Sequence, residues 1–489
     1  MTEDAALGRQ VKRGLGWSLT NNVISKLGTI VMGIVLAHLL DPADYGEFTV
    51  AIVALMIIAN LNDLGLEPTI VRWPGSIDRI IPTAFTTIFG SSCVLFAIVC
   101  VGAVPFASAM NAPEATNIVR LLAVGVVING LFAVPSAVLT RTFRQDLRTA
   151  ADAAGFAVSV VITVSLAVSG HGAWSLAWGR VAGNAVTSVM HGIFAHTRVR
   201  PGWSTPLARA LLAQGLPIAG TLLLATVMIN VDYLIVGRVL GPVALGYYLM
   251  AFNLSTSPIK LFSTAVASVA LPGFAALQGR LEELRTAFVR SLSWLMWVTL
   301  PVSLALCIAA VPLVTFVYGD RWAPAAEALR FLALVGVLRV GLQLGADLLV
   351  AVGRSRTTMW LQGLWLVTLI PALVIGIHLD GIQGVGIGHL VVAGGIMVPA
   401  YLVALRVVGL RGRDVGAPLL GPLLGSAVAL VLGLTLVPQV GNPVLAMLLA
   451  GVLAVAGPLI PVSSHLRELG TQAVGSWAER RNEKALAER

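Results

Sequence analysis

The chain has 489 residues, of which 57% are hydrophobic and only 11% charged, with a formal net charge of +9. A soluble globular chain carries about 25% charged residues, so a soluble enzyme, a disordered protein and a secreted scaffold are excluded and a polytopic membrane protein is left. The positive charge does not mark a nucleic-acid-binding protein, because basic residues stand singly or in small groups between apolar runs, a topogenic pattern.

Continuous apolar runs such as Leu27–Leu40, Ala51–Leu61 and Leu423–Val437 read as helical spans rather than as the alternating strands of a barrel. In chain order they predict fourteen transmembrane helices, at 15–40, 47–70, 80–105, 116–140, 149–169, 173–196 and 211–238, then 243–270, 288–311, 326–352, 358–379, 383–405, 416–437 and 442–462. The first run is too long for a signal-peptide core and is expected to stay as a span. Connections on one side carry Arg9, Lys12 and Arg13; Arg72 and Arg79; Arg141, Arg144 and Arg148; and Arg198, Arg200 and Arg209. The same side continues with Arg280, Arg285 and Arg290; Arg354 and Arg356; and Arg406, Arg411 and Arg413. Connections on the other side, such as Asp41–Gly46, Ser169–Gly172 and Pro438–Pro443, are nearly bare, with Arg321 near Trp322 as the main exception. Positive residues stay cytoplasmic, so both termini are expected inside.

An internal repeat follows. Leu40, Pro42, Gly46 and Ala51 recur in an ungapped match as Leu240, Pro242, Gly246 and Ala251, each time where a hairpin turn joins two spans and Pro and Gly serve turn chemistry. Six spans separate the copies, so both have one orientation, a transporter pattern with a substrate site between parallel halves. The expected organisation is a six-helix lobe over 1–205, a second over 206–409, an extra helix pair over 410–463 and a cytoplasmic tail over 464–489.

Ionisable residues inside spans mark candidate sites, because each costs about 2.5–3.5 kcal/mol at mid-membrane. Lys26 lies near the middle of the first span, Arg180 in the outer part of the sixth and Arg339 near the middle of the tenth. These three cations suit a phosphorylated ligand, since Arg offers a planar fork and Lys a mobile charge. Asp232 in the seventh span and Asp347 in the tenth are either coupling carboxylates or ion-pair partners that fix packing. Asp63, Glu67 and Arg72 cluster at the cytoplasmic end of the second span, as an inner gate or a solvated helix end. Gly179, Gly183 and Gly384 read as close helix packing. Three cysteines inside apolar runs offer no metal or disulfide framework, and neither metal nor cofactor is expected. No Gly-Lys-Ser/Thr phosphate loop, Asp-x-Asp triplet or long extramembrane loop supports an enzyme.

The start Lys12-Arg-Gly-Leu-Gly-Trp-Ser, the turn Leu39-Leu-Asp-Pro-Ala-Asp-Tyr-Gly, the run Asn62-Asp-Leu-Gly-Leu and the segment Val231–Tyr248 resemble the polysaccharide flippases of the multidrug/oligosaccharidyl-lipid/polysaccharide exporter superfamily. The closest branch is the Wzx-type and teichuronic-acid-type exporters. The resemblance covers most of the first 405 residues. It implies an all-α fold with two six-helix lobes around a central cavity. It also implies a secondary transporter that flips an undecaprenyl-diphosphate-linked oligosaccharide to the outer leaflet of the cell membrane by alternating access. A peptidoglycan-precursor flippase or a cation/drug antiporter of the same superfamily is the alternative. The implied partners are the lipid-linked glycan, membrane lipids and a polysaccharide polymerase or assembly protein, and no nucleic acid. The resemblance transfers no individual functional residue.

Overall fold

A computed structural model describes residues 28, 31–197 and 199–459. Lys26, most of the first expected span and the tail at 464–489 lie outside the described residues. These are helical, with no strand among them. The helices are α1 (31–39), α2 (Pro42–Asn62), α3 (Leu66–Arg72), α4 (Ile81–Ala109), α5 (Ala115–Arg141), α6 (Gln145–Val168) and α7 (Ala173–Ala195). They continue with α8 (Thr205–Ala276), α9 (Leu281–Ile308), α10 (Ala310–Tyr318), α11 (Ala325–Ala351), α12 (Ser355–Leu390), α13 (Val398–Leu405), α14 (Gly412–Leu436) and α15 (Pro443–Leu459).

Helices α4 to α7 follow the third to sixth expected spans. Two apolar helical stretches, Thr205–Pro258 and Ser355–Val408, each run for 54 residues. At 1.5 Å per residue that is roughly 80 Å of helix, enough for two crossings of a core about 30 Å thick. Each is broken where the sequence places a turn, at Gly241 (φ 82°) and at Asp380–Gly381 (Gly381 φ 53°). Both breaks use a backbone conformation open to glycine. The fold class is thus the expected all-α polytopic one, with some spans subdivided. Asp63–Gly65 separates α3 from α2, a π-helical stretch Val391–Met397 interrupts the twelfth span, and the connection expected before the tenth contains α10 and a 3₁₀ turn that buries Trp322.

The chain forms two compact units, one ending at Leu249 and the next beginning at Met250, a boundary that falls within α8. In the first unit α5, α6 and α7 pack closely. A Cβ on Gly183 would lie 2.6 Å from the Gly155 carbonyl oxygen, and one on Gly179 would lie 1.8 Å from the Thr163 hydroxyl, so small residues set this helix contact. In the second unit α11 is packed by α9 and α12, and α14 and α15 pack on each other and on α9. Gly376 and Gly384 meet backbone to backbone, a Cβ on Gly384 falling 1.8 Å from the Gly376 oxygen.

The repeat takes a form its turn-like composition does not convey. Pro42 is the first residue of α2, and Gly46 lies inside that helix, as Gly246 lies inside α8 beyond the break. Only Leu40–Asp41 and Gly241 turn the chain. The two copies meet within the first unit. A Cβ on Gly46 would lie 2.1 Å from the Pro242 carbonyl oxygen, and one on Gly246 would lie 2.7 Å from that of Pro42. These glycines admit a helix crossing rather than a turn.

Candidate functional site

In the first unit the helices α2, α5, α6 and α7 enclose a cavity of about 380 Å³. Its apolar side is Ile52, Leu122 and Phe156, and its polar side comes from Asn129, Asn184 and Ser159. The lining residue that carries a full charge is Arg180, whose side chain is exposed although it stands two turns inside α7. Among the described residues no carboxylate lies within ion-pair distance of it. Neighbouring amides are tied to backbone: Asn184 Nδ2 donates to the Gly125 oxygen at 3.4 Å, and Asn62 Nδ2 to the Val126 oxygen at 3.1 Å. The Oδ1 of Asn62 is buried with no partner among the described residues.

In the second unit Arg339 is held by α-helical neighbours of another kind. Its guanidinium carbon stands 5.6 Å from the ring centre of Phe252 and 5.5 Å from that of Trp365, a cation between two π faces. Its Nη2 lies 3.3 Å from Nδ1 of the fully buried His389. A guanidinium can only donate, so this contact needs Nδ1 as the acceptor. The Nε–H of Arg339 is buried without a hydrogen-bond partner among the described residues.

Among the described residues neither Asp232 nor Asp347 lies within ion-pair distance of Arg180 or Arg339. Asp347 shares the Arg339 face of α11, two turns away and about 12 Å along the axis, and accepts from Gln343 Nε2 at 2.9 Å. Asp232 is buried in the first unit, where its Oδ2 accepts from the Tyr248 hydroxyl at 2.7 Å and its Oδ1 from the Tyr233 N–H at 3.0 Å. Because Tyr248 lies beyond the Gly241 break, this bond ties the two arms of α8 together.

Glu67 and Arg72 lie along α3 and Asp63 just before it, and among the described residues no carboxylate stands within ion-pair distance of Arg72. Asp63 caps α3, accepting from Gly65 N–H at 3.2 Å and Glu67 N–H at 3.1 Å. The Glu67 carboxylate accepts from the Ser136 hydroxyl on α5 at 2.9 Å. At the other end Arg141 donates to the carbonyls of Ile70, Val71, Trp73 and Gly75, a cation at a helix C-terminus. Sequence reading placed Arg141 among the loop charges and missed this role, as it missed Phe252, Trp365 and His389 around Arg339. Nothing in their local sequence signals these contacts.

Residues 35–327 match the family described as "Polysaccharide biosynthesis protein". The chain is 28% identical over 414 residues to the lipopolysaccharide biosynthesis protein WzxC of Escherichia coli K12, an alignment covering 80% of each. It is 25% identical over 362 residues to the succinoglycan biosynthesis transport protein ExoT of Rhizobium meliloti 1021, covering 72% of this chain and 71% of ExoT. Among solved structures the fold is similar to the lipid II flippase MurJ in an inward closed conformation. The TM-score is 0.75 at 13% identity, over 93% of this chain and 99% of the other.

Proposed function

We propose, from the premise that this chain belongs to the polysaccharide biosynthesis protein family, that it is a secondary transporter of an undecaprenyl-diphosphate-linked oligosaccharide. It moves the glycan from the cytoplasmic to the outer leaflet of the cell membrane by alternating access, for polysaccharide export. Relatives named for lipopolysaccharide biosynthesis and succinoglycan transport support this reading. The observation that carries it is the buried Nε–H of Arg339, an unsatisfied donor on a cation that no described carboxylate neutralises. Such a group is expensive in a membrane interior unless an anion arrives, and a diphosphate is that anion. Arg180 offers a second guanidinium from its own cavity, and Lys26 a further cation from the first span.

This chemistry disfavours a cation/drug antiporter, whose cargo two unneutralised arginines would repel. A peptidoglycan-precursor flippase is the second reading, favoured by the fold similarity to MurJ and by an equally anionic lipid diphosphate. Neither reading involves catalysis, and both termini lie in the cytoplasm. A polymerase or assembly protein receives the glycan outside. The test is leaflet-resolved labelling of the lipid-linked glycan in cells with and without the protein. Depletion is expected to trap the glycan on the inner face, and accumulation confined to the outer face would overturn the proposal. Comparing labelled repeat units with labelled peptidoglycan precursor separates the two cargoes.

A further inference from the structure

A second concentration of positive charge lies in the second unit, away from Arg339. Helix α9 begins after Arg280, the 3₁₀ turn Arg406–Val408 follows α13, and α14 begins at Gly412. These connections are far apart in sequence, yet they enclose one open cleft of about 1260 Å³, lined by Glu282, Arg285, Arg290, Arg406, Arg411 and Asp414.

Part of that charge is already committed. Arg285 pairs with Glu282 and donates from Nε to the Val408 oxygen at 2.7 Å. Its guanidinium fills the notch left by Gly409, where a Cβ would lie 1.5 Å from Nη2. Asp414 accepts from the backbone N–H of Arg411 at 2.9 Å and so caps α14. Arg290, Arg406 and Arg411 have no carboxylate within ion-pair distance among the described residues, and although Asp414 stays an anion of the cleft, its four arginines outnumber its two acids. Three like charges on one cleft repel unless an anion lies among them, and their planar forks match phosphate oxygens.

The neighbouring surface indicates where that anion comes from. Trp294 is 65% exposed on α9, one turn beyond Arg290 on the same helix face. The two residues line an adjoining groove of about 660 Å³. An exposed indole beside the basic end of an apolar helix is a membrane-interface anchor, so the cleft opens where lipid headgroups stand. Basic pockets between helices at such a face hold anionic headgroups.

We propose that this cleft binds the phosphodiester headgroup of an anionic membrane phospholipid, with Arg290, Arg406 and Arg411 on the phosphate and Trp294 beside the acyl-chain boundary. The site is separate from the transmembrane cations, and its failure would leave the transport reading untouched.

The test is native mass spectrometry of the full-length chain in micelles titrated with phosphatidylglycerol or phosphatidylcholine. Phosphatidylglycerol is expected to bind in preference. Each single change among Arg290→Gln, Arg406→Gln and Arg411→Gln is expected to weaken it about fivefold, and the triple change about a hundredfold. Binding of the two lipids alike, or full phosphatidylglycerol binding by the triple variant, would overturn the proposal. Inorganic pyrophosphate or undecaprenyl diphosphate binding more tightly at the same arginines would also overturn it, reassigning the cleft to a soluble anion or to the transported lipid. Should the triple variant fail to fold, Arg406→Gln on its exposed turn carries the test alone.

Discussion

At Arg339 the burden of a mid-membrane cation is met by two ring faces instead of a carboxylate. A cation–π contact is worth about 2 kcal/mol when desolvated, so Phe252 and Trp365 together offset the roughly 2.5–3.5 kcal/mol of placing the charge there without neutralising it. Under the proposed function, that leaves the charge available to an arriving diphosphate. Arg339→Ala is expected to cut glycan export about tenfold or more with membrane abundance intact, since about 1.4 kcal/mol corresponds to a factor of ten. Arg339→Lys, which keeps the charge but loses the stacked fork, should fall between. Export and immunoblotted membrane protein measured together check both, and unchanged export in Arg339→Ala would return this residue to a packing role. The sequence makes Arg339 and Arg180 legible because a charge inside an apolar run is rare. Their surroundings are not legible, because Phe252 and Trp365 resemble any other core aromatic and stand far from Arg339 in sequence. The expectation that Asp232 or Asp347 would pair with a cation rests on charge alone. In the structure Asp347 accepts from Gln343 and Asp232 accepts from the Tyr248 hydroxyl.

The helices of the repeat are shaped by what their glycines and their one buried carboxylate permit. A methyl group on Gly46 or Gly246 would meet backbone of the opposite copy, where no rotamer change can relieve it. Gly46→Ala and Gly246→Ala are therefore each expected to destabilise the protein by about 1–3 kcal/mol, seen as a lower midpoint in detergent thermal melts. Gly90→Ala, with open space at its Cβ on α4, should melt near or slightly above the parent. The bond between Asp232 and Tyr248 has the same reach, from one arm of α8 to the other. Asp232→Ala removes a buried acceptor and is expected to cost about 1–3 kcal/mol, whereas Asp232→Asn keeps an acceptor for the tyrosine hydroxyl and should cost less. Equal melting of Ala and Asn variants would show that the bond does not hold the arms. Sequence reading finds this repeat but assigns its Pro and Gly to a turn. Composition cannot separate a glycine that bends a chain from one that admits a neighbouring helix, since both need the missing Cβ. The π-helical stretch after His389 is equally silent in the sequence, because Val391–Met397 is as apolar as any helix.

For the whole molecule, hydropathy and loop charge together go further than either alone. The fourteen expected spans place two in α8 and two in α12, and the breaks at Gly241 and Asp380–Gly381 stand where the chain is expected to turn back across the bilayer. Basic and bare connections then alternate: α4–α5 is bare, α5–α6 carries Arg141 and Arg144, α6–α7 is bare and α7–α8 carries Arg200. If positive residues remain inside, the break in α8 faces outward together with the break in α12, and the starts of α9 and α12 face the cytoplasm. Single cysteines in a background lacking Cys93, Cys100 and Cys307 test this directly. Val243→Cys and Leu379→Cys, the latter at a position 81% exposed, are expected to react with an impermeant maleimide on intact cells, as is Asn442→Cys. Thr142→Cys and Ser355→Cys should react only after permeabilisation. Labelling of Val243→Cys and Ser355→Cys from the same side would mean an even number of crossings between them. That would remove a span from the second half, break the parallel relation of the two copies and leave the arginine cleft on the wrong face of the membrane.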